Sequence, residues 1–169
     1  MAQLKAYRDV TPGVEVGDYA SAEEVSAAIE GAQRAFLRWR QTSFEARSKL
    51  MRKAAQVLRD RKDEFARIMA EEMGKPLRDG RGEVDKCAWV CDYYAEHAEE
   101  FLADEPVATE AGKSFVACRP LGVVLAVMPW NFPFWQVFRF AAPGLMAGNT
   151  GILKHASNVP GCALAIEAV

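Results

Sequence analysis

The sequence predicts an α/β fold in which N-terminal helices lead into the start of a doubly wound parallel sheet. Two observations support this fold class. Apolar residues recur at helical spacing through most of residues 21–103. Residues 121–169 then follow the order strand, loop, helix, strand, loop, helix, which is typical of two parallel strands joined by a crossover helix. We therefore expect a helical lead-in over residues 1–103 and the start of a parallel sheet over residues 121–169.

The first two helices are predicted from their start signals. Residues 1–20 contain Pro12 and two glycines, and predict an irregular or weakly stranded lead-in. Residues 21–24 have the form of a capping box, in which a serine and a glutamate three positions later satisfy early backbone amides. A helix is therefore expected from there to about Gln41. Residues 42–45 have the same form and open the second helix.

Two further helices precede the sheet. The third, at residues 63–73, ends at Gly74-Lys75-Pro76, because glycine favours a helix end and proline cannot continue the helix. Residues 79–82 (DGRG) predict a turn. The fourth helix then runs over residues 83–102, where the apolar spacing is again helical.

Strands are predicted from short apolar runs. After a polar stretch at residues 104–113, residues 114–118 predict a short strand. The β-branched run at residues 123–127 predicts the first parallel strand. A second apolar piece at residues 151–153 predicts its partner, which ends at Lys154.

The crossover helix is predicted from the spacing of its apolar residues. They lie on one face of a helix, at i, i+3, i+4, i+7, i+8 and i+11: Phe134, Val137, Phe138, Ala141, Ala142 and Leu145. Gly148 and Asn149 end this helix. A further helical pattern begins beyond Ser157 and runs to Val169.

This order of elements predicts a ligand site. The strand-to-helix loops at residues 129–131 and 154–157 should meet at the carboxyl edge of the sheet, where open α/β folds bind ligands. One loop offers an amide and an indole, and the other offers an ammonium and a hydroxyl. Together they suit a ligand with a flat part and an anionic part. No G-x-G-x-x-G motif occurs in the chain, so the common dinucleotide fingerprint is absent.

Composition and charge narrow the class of partner. The net charge of −2 gives no electrostatic reason to expect nucleic acid or an anionic membrane surface, so a small-molecule substrate fits better. Residues 121–138 are uncharged, but their prolines, Asn131 and Gln136 argue against a membrane span. No basic segment followed by an apolar core opens the chain, so we expect a cytoplasmic protein. The four cysteines lack metal-ligand spacing; no metal is predicted, and Cys87 and Cys91 are expected to be buried reduced thiols.

Several segments resemble a known family. Residues 128–133 (MPWNFP), 147–150 (AGNT) and 153–154 (LK) resemble the NAD(P)-dependent aldehyde dehydrogenase superfamily. Within it, residues 135–137 (WQV) and 154–159 (KHASNV) are most similar to succinate-semialdehyde dehydrogenases. The resemblance implies a Rossmann-like cofactor-binding domain and the oxidation of succinate semialdehyde to succinate with NADP or NAD as cofactor.

The resemblance covers almost the whole chain but only the opening part of the family's length. We therefore expect residues 1–169 to be the N-terminal part of the cofactor-binding domain, in an incomplete chain that is inactive alone. The family's nucleophilic cysteine lies far downstream of Lys154, and no cysteine here, Cys162 included, has that context. In the family, a strand at about residues 114–120 belongs to a hairpin that helps subunits associate, which implies a homo-oligomer when complete. The alternatives are a dehydrogenase for another aldehyde and a non-catalytic nucleotide-binding or subunit-interaction fragment.

The resemblance also assigns roles to residues of the two loops. In the family, the asparagine at Asn131 donates its side-chain amide to the oxygen of a thiohemiacetal, and so stabilises charge that develops as a thiolate attacks the aldehyde. The lysine at Lys154 bonds the adenosine ribose or its phosphate. The resemblance implies a cofactor site made by Pro129, Trp130, Asn131, Lys154, His155, Ala156 and Ser157. Residue type alone favours a helix cap or loop contact for Asn131 and a solvent-directed lysine for Lys154.

Two residues bear on specificity. Many NAD-preferring relatives carry a glutamate three positions after the lysine, where it accepts a hydrogen bond from the ribose 2′-hydroxyl and repels a 2′-phosphate. This sequence has Ser157 there, so we expect NADP⁺ to be accepted. Arg139, eight residues after Asn131, has two interpretations: a buried salt bridge or, by resemblance, a ligand for the substrate's free carboxylate.

Overall fold

The computed structural model describes residues 4–5 and 19–169, and the irregular lead-in predicted for residues 1–20 lies almost entirely outside the described residues. Strand β1 (Leu4–Lys5) pairs antiparallel with β2 (Tyr19–Ala20). The elements that follow are, in chain order, α1 (Ala22–Trp39), α2 (Phe44–Asp60), α3 (Lys62–Met73), α4 (Leu77–Phe101), β3 (Glu105–Pro106), β4 (Phe115–Val116), β5 (Val123–Val127), α5 (Trp135–Met146), β6 (Thr150–Lys154) and α6 (Pro160–Glu167). In the described part, none of the helices combines the length and apolar character needed to span a membrane.

Hydroxyl side chains start the first two helices. At α1, Ser21 Oγ accepts a hydrogen bond from Glu24 N (3.1 Å) and Glu24 Oε2 accepts one from Ser21 N (2.9 Å), which is the predicted capping box. At α2 the prediction is one residue early, because Ser43 Oγ accepts from an amide of the first turn (3.2 Å). Thr42 Oγ1 instead donates to the carbonyl oxygen of Trp39 (2.6 Å). Thr42 therefore belongs to the end of α1.

The turn predicted at residues 79–82 is wrong, because these residues lie inside α4. Gly80 is buried where α4 packs against α3, and a β-carbon placed there would lie 3.2 Å from both the Cα and the Cβ of Ala66. The glycine therefore permits close helix packing rather than a turn. Gly74 does have the predicted role, since it ends α3 with φ 71°, and Pro76 directly precedes α4.

Helix α4 is the centre of the helical part, since it packs against α2, α3 and α5. The shared core includes buried residues from both parts of the chain: Leu58, Phe65, Met69, Val84, Cys87, Cys91, Phe134, Met146 and Cys162. The rings of Phe65 and Phe134 are in contact, with centroids 5.0 Å apart. The helical lead-in and the α/β part are therefore packed as one body, and burial of Cys87 and Cys91 is confirmed.

Strands β5 and β6 form the predicted parallel pair, with α5 as the crossover. The register pairs Val123 with Thr150 and Val127 with Lys154. Helix α1 packs against this pair, and Thr150 Oγ1 donates to the carbonyl oxygen of Ala32 (3.2 Å). The strands therefore end side by side, at the point where the two predicted site loops begin.

Strands β3 and β4 form a short antiparallel hairpin, with Glu105 opposite Val116 and Pro106 opposite Phe115. Strand β4 lies within the strand predicted at residues 114–118. No strand is predicted from the polar stretch at residues 104–113, but the structure has β3 there. The sequence gives no signal for it, because a two-residue strand is too short to show an apolar alternation. Phe115 and Val116 are 43% and 56% exposed, so the hairpin presents apolar side chains to solvent.

Candidate active site

The loops that follow β5 and β6 lie side by side at the carboxyl edge of the parallel pair. We call residues 128–134 the first loop and residues 155–159 the second loop. His155 Nε2 in the second loop is 2.9 Å from the carbonyl oxygen of Pro133 in the first. The strand order therefore brings together the two groups of residues that the sequence analysis singled out.

The His155 ring bridges the two loops as a neutral imidazole. Its Nδ1 accepts a hydrogen bond from the amide of Ala156 (2.8 Å), so Nε2 carries the proton and donates to Pro133. Burial lowers the pKa of His155 below its ordinary value, although the hydrogen bond to the Pro133 carbonyl opposes this shift. Both ring nitrogens are thus engaged within the protein, and the polar contacts of this ring serve to hold the loops together.

Most residues predicted for the cofactor site have exposed side chains: Pro129, Trp130, Asn131, Lys154 and Ser157. His155 and Ala156 are half-buried. The indole of Trp130 is 50% exposed, so a large aromatic face at this edge is open to solvent. The loops therefore present an aromatic surface, an amide, a hydroxyl and one ammonium to the same region.

The Asn131 side chain does not cap the following helix. The first amides of that helix, from Phe134 and Trp135, both donate to Glu83 Oε1 at 2.9 Å. Within residues 19–169, no hydrogen bond of the Asn131 side chain is found, and that side chain is exposed. The structural alternatives considered for Asn131 therefore do not occur here.

A buried ion pair from the helical lead-in supports the first loop. Lys75 and Glu83 are only 9% and 5% exposed, and Lys75 Nζ is paired with Glu83 Oε2. Lys75 Nζ also donates to the carbonyl oxygen of Asn131 (2.9 Å) and lies 4.1 Å from the ring centroid of Phe132. One cation therefore holds the backbone carbonyl of Asn131, and one carboxylate holds the amides three and four residues later.

Neither member of this pair was predicted as a site residue from the sequence. Lys75 was predicted only as part of a helix stop, and Glu83 only as the first residue of the fourth helix. A usable signal was present, because Glu83 lies four residues before Cys87 and eight before Cys91, on the buried stripe of α4. A carboxylate on an apolar stripe requires a buried partner, and the partner was not deducible from spacing.

Helix α6 is capped in the same way as α5. The two oxygens of Glu72, near the end of α3, accept from the amides of Gly161 (2.5 Å) and Cys162 (2.9 Å). Helix N-termini attract anions, but carboxylates from the lead-in already occupy these two. An anionic ligand at this edge would therefore depend on side chains, and Lys154 is the exposed cation there.

Arg139 is exposed in the second turn of α5. Within residues 19–169 no ion pair of Arg139 is found, so the buried salt bridge considered for it does not form. An unpaired guanidinium on the surface of the helix that follows the first loop is compatible with binding a carboxylate.

Three cysteines are poor candidates for a nucleophile. Cys87, Cys91 and Cys162 are buried, and burial raises the pKa of each thiol, to about 12 for Cys91. For Cys162, the carboxylate of Glu72 raises the pKa further. Cys118 is exposed but lies near the hairpin, away in sequence from both loops. Among the described residues, no group of three or more His, Cys, Asp or Glu side chains is arranged to hold a metal ion.

Comparison with known proteins extends the resemblance. A family model described as the aldehyde dehydrogenase family matches residues 11–169. A "probable succinate-semialdehyde dehydrogenase" (NADP⁺) of Synechocystis sp. is 60% identical over 146 residues, which cover 86% of this chain and 32% of that protein. Succinate-semialdehyde dehydrogenase (NADP⁺) 1 of Mycobacterium tuberculosis is 55% identical over 148 residues, with the same coverage of 86% and 32%.

Solved structures show the same similarity. The crystal structure of succinic semialdehyde dehydrogenase from Streptococcus pyogenes in complex with NADP⁺ matches with a TM-score of 0.86 and 37% identity, over 92% of this chain and 34% of that one. The chain thus spans about a third of the length of the curated relatives that it matches.

Proposed function

The chain belongs to the aldehyde dehydrogenase family, and from that premise we propose that residues 1–169 form the N-terminal part of the cofactor-binding domain of a succinate-semialdehyde dehydrogenase that accepts NADP⁺. One observation carries the proposal: the first and second loops lie together at the end of a parallel strand pair and expose Asn131 and Lys154. The sequences of both loops resemble those of succinate-semialdehyde dehydrogenases. The relatives named for NADP⁺-dependent oxidation of succinate semialdehyde support this substrate and cofactor.

In the proposed reaction, the Asn131 amide donates a hydrogen bond to the aldehyde oxygen as a thiolate adds to the carbonyl carbon. The negative charge that develops on that oxygen is stabilised because the donor is already in place. None of the three buried cysteines is proposed to supply this thiolate, because burial raises the pKa of each thiol. NADP⁺, when bound, supplies the hydride acceptor.

The exposed side chains of the two loops fit the adenosine end of such a cofactor. Lys154 supplies the positive charge that a ribose phosphate requires, and the indole of Trp130, in the loop that follows the neighbouring strand, is half exposed. Ser157 adds no negative charge to the site. Pro129, Ala156 and His155 are proposed to contribute through the shape and backbone of the loops.

We also propose that the hairpin region, at about residues 114–120, contributes to subunit association in a homo-oligomer. Its exposed apolar residues, Phe115 and Val116, support this role. We propose the cytoplasm as the compartment, where buried free thiols such as those of Cys87, Cys91 and Cys162 persist.

The test enzyme is a chimaera in which residues 1–169 replace the matching part of the Synechocystis relative. The relative is 60% identical over 146 residues, so most residues that contact the rest of that enzyme are expected to be kept. We expect it to reduce NADP⁺, measured at 340 nm, when succinate semialdehyde is added. Faster turnover of uncharged aldehydes than of succinate semialdehyde would instead support a different aldehyde as substrate. A folded chimaera that turns over no aldehyde would overturn the proposal.

Cofactor choice is predicted to depend on Ser157. In the Ser157→Glu chimaera, the new carboxylate would repel the 2′-phosphate, so we expect kcat/KM with NADP⁺ to fall by roughly tenfold or more while the value with NAD⁺ is kept. The matched control is Asn158→Glu, which adds the same charge at the neighbouring exposed residue. Equal losses in the two variants would show that Ser157 has no specific part in the choice.

Substrate choice is predicted to depend on Arg139. Replacing it with leucine removes a charged hydrogen-bond donor for the substrate carboxylate, so we expect KM for succinate semialdehyde to rise by roughly 10- to 100-fold. KM for butanal, which has no carboxylate, should not change. Arg34→Leu, an exposed arginine of α1, is the control. An unchanged KM for succinate semialdehyde in Arg139→Leu would refute the assignment.

A further inference from the structure

The buried pair formed by Lys75 and Glu83 lies outside the strand pair and its loops, yet it contacts the first loop at several points. We propose that these two side chains are positioning residues for Asn131, acting on the backbone that carries it. The proposal rests on the proposed function, because it concerns the oxyanion donor of that reaction. Neither residue needs to touch substrate or cofactor for this role.

Stability alone is a weak explanation for the pair. Burying two charges is costly, and well-packed apolar side chains of similar volume are often as stable as a buried ion pair or more so. Lys75 and Glu83 are 9% and 5% exposed, and they pack beside a cluster of buried apolar side chains. What apolar side chains could not supply is the set of hydrogen bonds that this pair makes to the first loop.

The hydrogen bonds hold the backbone at Asn131 and just after it. Lys75 Nζ holds the carbonyl oxygen of Asn131 itself at 2.9 Å. Three and four residues later, Glu83 Oε1 holds the amides of Phe134 and Trp135, each at 2.9 Å. Because Glu83 Oε2 is paired with Lys75, the two anchor points are tied to each other.

Two more contacts restrict the residues between those anchors. The Phe132 ring lies over the Lys75 ammonium, 4.1 Å from centroid to nitrogen. The carbonyl oxygen of Pro133 accepts from His155 at 2.9 Å. The backbone that follows the Asn131 side chain is thus held at Asn131, Pro133, Phe134 and Trp135, while that side chain is left exposed.

Such an arrangement matters for a donor that must meet a developing charge. A donor stabilises the transition state without reorganisation only if its position is fixed beforehand. A displacement of about 1 Å can cost about 100-fold in rate. The pair therefore affects the rate of the chemical step rather than the affinity for either ligand.

The test uses the double variant Lys75→Met/Glu83→Gln in the chimaera, because it leaves no unpaired buried charge. The introduced glutamine can still accept from the two amides, whereas the introduced methionine cannot hold the Asn131 carbonyl. We expect kcat to fall by roughly 10- to 100-fold, with KM for succinate semialdehyde and for NADP⁺ each within about threefold of the parent. The same pair of substitutions is then combined with Asn131→Ala.

The Asn131→Ala background separates positioning from a general structural role. If the pair acts through Asn131, the added substitutions should change kcat little there, since no donor remains to be positioned. The control is Ser48→Ala, which removes a buried hydrogen bond from Ser48 Oγ to the carbonyl oxygen of Ala95 (2.7 Å), outside the first loop. Its effect on kcat, if any, should be the same in both backgrounds.

Two results would overturn the proposal: an unchanged kcat in the double variant, or an equal fall in kcat with and without the Asn131 side chain. Failure of the proposed function has a different signature. In that case the parent chimaera fails to oxidise succinate semialdehyde, or Asn131→Ala alone leaves kcat unchanged, and the positioning role is overturned with it.

Discussion

Replacing Asn131 with alanine in the chimaera is expected to lower kcat for succinate semialdehyde by roughly 100- to 1000-fold, the usual effect of removing one oxyanion donor. The side chain is exposed, and within residues 19–169 no hydrogen bond of it is found, so its removal should disturb the fold little. KM for NADP⁺ should stay close to the parent value. Initial rates at saturating NADP⁺, with circular dichroism to confirm folding, measure this directly.

Two comparisons make the result specific to the donor. Asn131→Asp keeps the size of the side chain but replaces the amide NH₂ with a negative oxygen, so its loss of kcat should be at least as large as that of alanine. Asn158→Ala, at an exposed asparagine beyond the assigned cofactor residues, should leave kcat within about twofold, as expected for a surface change away from the chemistry. If Asn131→Ala retained kcat and raised only KM, the side chain would contribute to ground-state binding instead.

Much of the fold could be predicted because its signals are local. The serine and glutamate of residues 21–24 mark the start of α1, and the apolar spacing after Pro133 marks α5. The error at Gly80 has a physical reason, since a glycine serves a turn and a close helix contact equally well, and only the facing Ala66 distinguishes them. Strand β3 escaped prediction because two residues carry no periodicity.

The proximity of the two loops could be predicted for a topological reason. A parallel pair joined by a helix places both strand ends at one edge, so the first and second loops had to be neighbours. The supports of the first loop could not be predicted in this way. Lys75 and Glu83 reach it across 56 and 51 residues of sequence, and no spacing rule relates positions so far apart.

Removing one member of the buried pair is expected to have the largest effect on stability. In Lys75→Met the Glu83 carboxylate loses its counter-charge while 5% exposed, and breaking such a pair typically costs about 3–5 kcal/mol. The matched control is Lys62→Met, which breaks a pair with Asp85 (3.0 Å) whose side chains are 35% and 51% exposed. That exposed pair should contribute less than ~1 kcal/mol. Urea unfolding of the chimaera, followed by tryptophan fluorescence, gives both values.

The free energy of unfolding of the double variant Lys75→Met/Glu83→Gln shows why the single change lowers stability. If the cost arises from an unpaired buried charge, neutralising Glu83 as well should recover most of the stability lost in Lys75→Met. The double variant would then be nearly as stable as the parent and still slow, because stability depends on balancing the charges whereas the rate depends on the bond to the Asn131 carbonyl. A double variant less stable than Lys75→Met would show instead that the two losses accumulate, so that the pair stabilises the fold through packing and hydrogen bonds that neither methionine nor glutamine replaces.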